Sequence, residues 1–291
     1  MSFSLRRLFR HHGGNVDFQN GSIPWRMLQY AFPIFIGNLL QYLYTAVDAW
    51  VLGQSGQTAA YAAVGSLSAV TQTLVSLFWG FSQGAGIVIS RAYGAGDRDR
   101  VSRTAHTAMV VTLLIGVFLT VVGIVISPML LRIVLGADGD PEIFHHAKTY
   151  LIIFFCGILP MLVYNMGAEI MRAVGNSHYP FVFLCVGSIL NIILDVVFVF
   201  GFDCGIAGVA WATVISQALA AILVIAVHFG KRAPVRLRAR ELRIDRTLTA
   251  IIVRHFLHFT SFFGRLQPSL LWRKQPLFWS IFTENKRGNT K

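Results

Sequence analysis

Acidic residues are rare in this chain: 13 aspartates and glutamates among 291 residues, with charged residues of both signs making up only 13%. That is about half the charged share of a soluble globular protein, and it excludes an ordinary water-facing surface. Cysteine is scarce too. Cys156, Cys185 and Cys204 have neither C-x-x-C nor metal-ligand spacing, which excludes a zinc site and a thiol redox motif. Lying inside or at the edge of apolar runs, they read as small hydrophobes. No serine–histidine–aspartate set, nucleophile elbow or pair of catalytic carboxylates can be assembled, so the chain does not read as an enzyme. The glycines of QGAG and YGAGDR follow no strand and lead to no lysine–threonine ending, which excludes a phosphate-binding loop. They read instead as close helix packing and a helix stop. His11–His12 and His145–His146 are adjacent pairs in loops and carry no metal assignment.

Apolar residues fill the space that charge leaves. Hydrophobic residues make up 55% and the mean hydropathy is +0.60, and several apolar runs reach the ~20 residues that cross a ~30 Å hydrocarbon core as helix. Six spans can be read, at about 27–52, 61–90, 105–131, 147–171, 180–201 and 205–229. The expected fold is therefore an all-α polytopic membrane protein, a six-helix transmembrane bundle over 27–229.

Loop charge alternates along the chain. Arg6, Arg7, Arg10 and Arg26 precede the first span, and Arg91, Arg98, Arg100 and Arg103 follow the second. Arg172 follows the fourth, and GKRAPVRLRARELR follows the sixth. The intervening GQSGQTAA is uncharged, GADGDPEIFHHAK leans acidic, and FDCG holds only Asp203. By the positive-inside rule, both ends of the six-span unit face the cytoplasm of a plasma (inner) membrane. Residues 1–26 then form a cytoplasmic segment and 230–248 a basic cytoplasmic linker. The net charge of +12 sits in these segments, with no aromatic–basic module beside it, so no nucleic-acid partner is expected. MSFSLRRLFRHHGG has arginines but no apolar run, and the next apolar segment is too long for a cleavable signal.

Two acids break the apolar pattern inside spans: Asp48 in LLQYLYTAVDAWVLGQ and Asp195 in SILNIILDVVFVFG. On insertion scales each costs ~2.5–3.5 kcal/mol near a helix centre. Either they lie close enough to the membrane surface to stay hydrated, or they face a bundle interior and carry ions, protons or substrate. At 1.5 Å per residue both lie roughly 22–26 Å from the cytoplasmic end, in the outer half. Thr213, about 8 residues into the returning sixth span, reaches the same half. Asn191 shares a helix face with Asp195 at i,i+4. Four oxygen-bearing side chains meeting at one depth suit a hard cation such as Na⁺ or, at an aspartate, a proton. Gln41, Tyr44 and Gln72 either line a cavity or satisfy neighbouring helices. Glu169, three residues before Arg172, reads as an i,i+3 ion pair near the inner end of the fourth span.

Several segments in order resemble the amino-terminal half of multidrug and toxic compound extrusion (MATE) transporters. They are PIFIGNLLQYLYTAVDAWVLGQSG, SQGAGIVISRAYGAGDRDRV, IMRAVGNSHYP, NIILDVVFVFGFDCGIAGVAWATVISQ and LRIDRTL, and the likeness covers roughly residues 25–248. The resemblance implies one six-helix lobe of a twelve-helix transporter whose pathway runs between two lobes. It places the amino-lobe cation or proton site on Asp48, Asn191, Asp195 and Thr213, and helix bending on Pro33, whose ring removes an N–H and crowds the preceding turn. Many members have proline after the fifth-span aspartate; here Val196 stands there.

The implied function is secondary active efflux of drugs or other small organic compounds by Na⁺ or H⁺ antiport. The coupling ion is the only cofactor, and the partners are the lipid bilayer, the small organic substrate and a second lobe or another copy of the chain. Alternatives are a non-functional truncated fragment, a half-transporter needing a partner lobe, and a related lipid-linked precursor flippase. From Thr249 the sequence departs from the family's pattern. Residues 249–291 mix basic, aromatic and polar residues without a clean period, with Arg254, His255 and His258 inside an apolar stretch. This tail reads as a frameshift product after about Leu248.

Overall fold

Long apolar stretches punctuated by short polar turns fold as helices here, because a helix satisfies its own backbone groups without water. The computed structural model describes residues 22–54, 58–136, 140–230, 233 and 235–258. Most of the segment expected at 1–26, and the tail from 259 onward, lie outside the described residues. Six long helices follow one another: α1 (Ile23–Gln54), α2 (Thr58–Gly94), α3 (Arg98–Leu135), α4 (Pro141–Ala173), α5 (His178–Val196) and α6 (Gly205–Phe229). No strand occurs among the described residues. Among them five helical segments are long and apolar enough to cross a membrane: Val70–Gly94 within α2, then α3, α4, α5 with its extension to Gly201, and α6. The exception is α1, whose 32 residues reach roughly 48 Å but whose apolar windows are diluted by Asn38, Gln41, Thr45 and Asp48.

Local chemistry sets the helix ends. Asp97 caps α3, its carboxylate accepting the Arg100 N–H at 2.9 Å. Asp140 caps α4 by accepting the Glu142 N–H at 2.8 Å, with Pro141 in the first turn, where its missing N–H costs nothing. Gly94 closes α2 and Gly96 takes φ +74° in the following turn, a conformation open to glycine. After Asp195, α5 runs into one π-helical turn, Val197–Gly201. Val196 therefore continues the helix.

α4 lies at the centre, packing on α2, α3 and α6, while α5 joins α1 to α6. Leu151, Ile158, Leu162, Met166, Ile170 and Met171 of α4 are fully buried. Small residues permit this closeness. A Cβ at Gly167 would press on Val224 of α6 and one at Gly157 on Val214, each 2.6–2.7 Å away. The outward faces are apolar as well. On α3, Phe118, Val121, Val125, Met129 and Ile133 are exposed, the arrangement a lipid-facing helix requires.

The segment after α6 folds back onto the bundle. The Arg238 N–H donates to His106 Nε2 at 2.9 Å, and His106 Nδ1 lies 2.7 Å from Ser102 O, so the proton sits on Nδ1. Thr107 Oγ1 donates to Arg243 O at 3.2 Å. His228 bridges Val235 O and Gly167 O, both at 2.9 Å, and Val235 and Leu237 are buried. On the outer side of this strap Arg238 donates to Glu241 at 2.6 Å, and this bond first of all holds the Glu241 carboxyl below its ordinary value.

A further helix, α7, occupies 246–258. Where the sequence shows no clean period, the structure reveals one: Leu248, Ile252 and Phe256 recur every four residues, with Leu248 and Ile252 buried and Phe256 packed edge-on against Phe81. Gly84 admits it. A Cβ at Gly84 would come within 2.9 Å of Ile252 O and 3.1 Å of Phe256 N, and backbone cannot yield as a side-chain tip can. Gly84→Val is therefore expected to loosen α7 at a cost of about 1–3 kcal/mol. The check is limited trypsin digestion, in which cleavage at Arg246 and Arg254 should accelerate while the six-helix bundle stays intact.

Candidate functional site

Asp48 reaches the bundle interior from α1 and Asp195 from α5, one turn beyond Asn191 on the same face. Asp195 is 0% and Asn191 2% exposed. The Asp48 carboxyl lies within side-chain hydrogen-bonding range of Asp195 and of Asn191, but two ionised carboxylates have no proton to share. Asp48 Oδ1, both carboxylate oxygens of Asp195 and both polar atoms of Asn191 are buried without a hydrogen-bond partner. No ion pair to either acid occurs among the described residues.

Such a cluster is costly. A buried polar atom left without a partner loses its hydration for nothing, and two facing carboxylates need a compensating positive charge between them. The donor set is oxygen-rich, which suits a hard cation, while either aspartate can take a proton. The π-helical turn Val197–Gly201 begins two residues after Asp195, a type of irregularity that gathers at functional sites.

Thr213 lies beside this cluster on a second level. With Asn191, Tyr44, Ser188 and Gln217 it lines a small cavity of about 10 Å³, close to the least space that holds one water. Asn191 borders both levels, whereas the two acids do not line the cavity. Thr213 Oγ1 donates to Val209 O at 3.1 Å and keeps its lone pairs for the cavity. The Tyr44 hydroxyl lies near Gln41 and Gln217, and Tyr150 of α4 lies near Asp48. Gln41 is itself largely exposed, as is Gln72 on α2, which joins neither group. Pro33 is buried within α1, and the helix runs through it unbroken.

Three polar residues of this cavity, Ser188, Ser216 and Gln217, do not stand out in the sequence. Ser188 Oγ and Gln217 Oε1 are buried without partners. Their signal was present as spacing: Ser188, Asn191 and Asp195 stand at i, i+3, i+7, and Thr213 and Gln217 at i, i+4.

Glu169 lies apart from these groups, and the pair expected for it is formed. Arg172 Nε donates to Glu169 Oε2 at 2.9 Å and Gln83 Nε2 to the same oxygen at 3.4 Å. Gly86 leaves the room, since a Cβ there would fall on Glu169 Oε1. Tyr30 of α1 donates to Arg172 O at 3.0 Å, so α1, α2 and α4 meet at this point.

Comparison with known proteins places these features in company. The MatE family profile matches residues 33–197. The chain is 32% identical over 240 residues to the probable multidrug resistance protein YoeA of Bacillus subtilis, covering 79% of this chain and 51% of YoeA. It is 26% identical over 218 residues to the multidrug export protein MepA of Staphylococcus saprophyticus, covering 75% of this chain and 48% of MepA. The chain thus spans about half the length of the curated relatives it matches. Among solved structures, a multidrug resistance MATE family transporter of the MOP superfamily in an outward-facing conformation superposes with a TM-score of 0.73 at 26% identity, over 80% of this chain and 52% of that one. A MOP superfamily transporter from Pyrococcus furiosus gives 0.77 at 26% identity, over 86% and 54%.

Proposed function

The chain belongs to the MatE family, whose members are membrane transporters and not enzymes, and on that footing we propose that it forms one lobe of a cation-coupled exporter of small organic compounds. The observation that carries the proposal is the pair of acids facing each other in the bundle, Asp48 on α1 and Asp195 on α5, with no ion pair to either among the described residues. A Na⁺ ion or a proton bound between them supplies the missing positive charge, with Asn191 as a further ligand and Thr213 beside it. Because the two acids come from different helices, the bound ion draws α1 toward α5 and its loss frees α1. A ligand shifts a conformational equilibrium only by its differential affinity for the two states, and this site gives the ion such a preference. Pro33 in α1 supplies a point at which that helix bends.

The substrate pathway of this proposal runs between this lobe and a second six-helix lobe, in the same polypeptide or in another copy. In this proposal both ends of the lobe face the cytoplasm of the inner membrane, an orientation supported by the arginines beside α2 and α6. The test is ethidium efflux from proteoliposomes holding the purified chain under an imposed Na⁺ or H⁺ gradient. Efflux that follows one gradient and stops when it is collapsed is expected. Efflux at the same rate with and without gradients would exclude coupling through this site.

A further inference from the structure

A cavity of about 190 Å³ lies where the end of α2, the start of α3 and α7 converge, lined by Val88, Arg91, Ala92, Ala95, Asp97, Arg100, Ile251 and His255. Its character is split. Val88 and Ala92 are buried and with the half-buried Ile251 make an apolar floor, while Arg91 and Arg100 are exposed at the rim. Neither guanidinium has an ion-pair partner among the described residues. The one acid, Asp97, already accepts the Arg100 N–H as the cap of α3. Two cations brought together from two helices, with an imidazole from a third, around an apolar floor differ from an ordinary basic loop, where charges are spread over water.

We propose that this cavity is a binding site for a phosphate ester group, taken from an anionic phospholipid at the basic face of the membrane. Two arginines present forked donors that match phosphate oxygens, and basic pockets between transmembrane helices on the cytoplasmic side hold anionic headgroups. The apolar floor favours a lipid over free phosphate, because it receives the carbons next to the ester. His255 adds a pH dependence. Burial first, then the charges of Arg91, His258 and Arg254, lower its pKa, with Arg100 and Asp97 facing it from α3. The imidazole is therefore neutral near pH 7 and gains a positive charge on acidification, so the anion binds more tightly as pH falls.

The site is tested on the full chain purified in detergent, titrated with phosphatidylglycerol, with phosphatidylcholine or with inorganic phosphate, reading binding by thermal shift. Phosphatidylglycerol should bind more tightly than either alternative. Arg91→Gln with Arg100→Gln should weaken it roughly 30-fold, from about fivefold per arginine. Arg98→Gln with Arg103→Gln removes the same net charge from the same region but not from the cavity, and should change affinity less than about threefold. Equal losses in the two double variants would show diffuse surface attraction and overturn the site. Equal affinity for the two lipids would do the same, and inorganic phosphate binding as tightly as phosphatidylglycerol would overturn the lipid assignment. If the Arg91 and Arg100 double variant does not fold, His255→Gln gives an independent readout. It should flatten the tightening of phosphatidylglycerol binding between about pH 7 and pH 5, and an unchanged pH profile would count against the site.

Discussion

Asp195→Asn is expected to abolish ion-driven efflux while leaving the protein at least as heat-stable as the wild type. The two effects separate because the carboxylate contributes to function and not to packing. Asp195 is 0% exposed and faces the Asp48 carboxyl with no ion pair among the described residues, so its charge is a burden to the fold. Asparagine has nearly the same shape and no charge, and removing an uncompensated buried charge recovers on the order of 1–2 kcal/mol. The ion loses its anionic ligand at the same time. In a thermal unfolding series the coupling ion should raise the wild-type Tm, since a ligand that binds only the folded state stabilises it by RT ln(1 + L/Kd), L being the free ligand concentration. The Asp195→Asn protein should show a higher baseline Tm and no response to Na⁺ or to pH in the same range. Coupled efflux retained at equal expression, or an undiminished ion response, would sink the assignment.

Arg172→Gln should give the largest loss of stability, and Glu169→Gln added to it should restore most of that loss. Glu169 is 9% and Arg172 18% exposed at their side chains, joined at 2.9 Å. Removing one member of a buried pair leaves the other charged and unpartnered, which costs about 3–5 kcal/mol when burial is complete. Gln83 also donates to Glu169 and Arg172 keeps some contact with solvent, so the lower end, ~3 kcal/mol, is expected. That corresponds to a fall of roughly 6–12 °C in Tm. In the double variant both residues are neutral amides and can hydrogen-bond to each other and to Gln83. The double-mutant cycle then separates the pair's coupling from the loss of either side chain alone. Equal losses in the single and double variants would mean that packing, and not charge, holds α2 to α4 here.

The six helices were legible because hydrophobic length is a local property. Five of the six spans expected from the sequence lie within the matching helix, the fifth runs past α5 through the π-helical turn to Gly201, and α6 occupies Gly205–Phe229, the very range expected. Asp48 and Asp195 were legible for the same reason: a charge inside an apolar run stands out whatever surrounds it. Other features were hidden because their signal lies in distant residues. Arg254 and His255 interrupt the apolar spacing of α7, and its buried face becomes evident only once Gly84 has offered a surface to receive it. His106, Thr107 and His228 read as ordinary polar residues. Nothing near them in the chain says that they hold the strap after α6 to α3 and α4.

Composition and the pattern of apolar runs by themselves determined that this is a multi-pass helical membrane protein with two acids in its spans. The energetics of crossing lipid act on each segment separately, so they are written along the chain. Tertiary structure alone decided which polar groups meet. It set the acids of α1 and α5 face to face without a protein cation, moved Thr213 to a neighbouring cavity, and gathered Arg91, Arg100 and His255 around one pocket. Those juxtapositions depend on helix rotation and on small residues such as Gly84, Gly157 and Gly167 that let helices approach, and packing of that kind is settled only when every neighbour is in place.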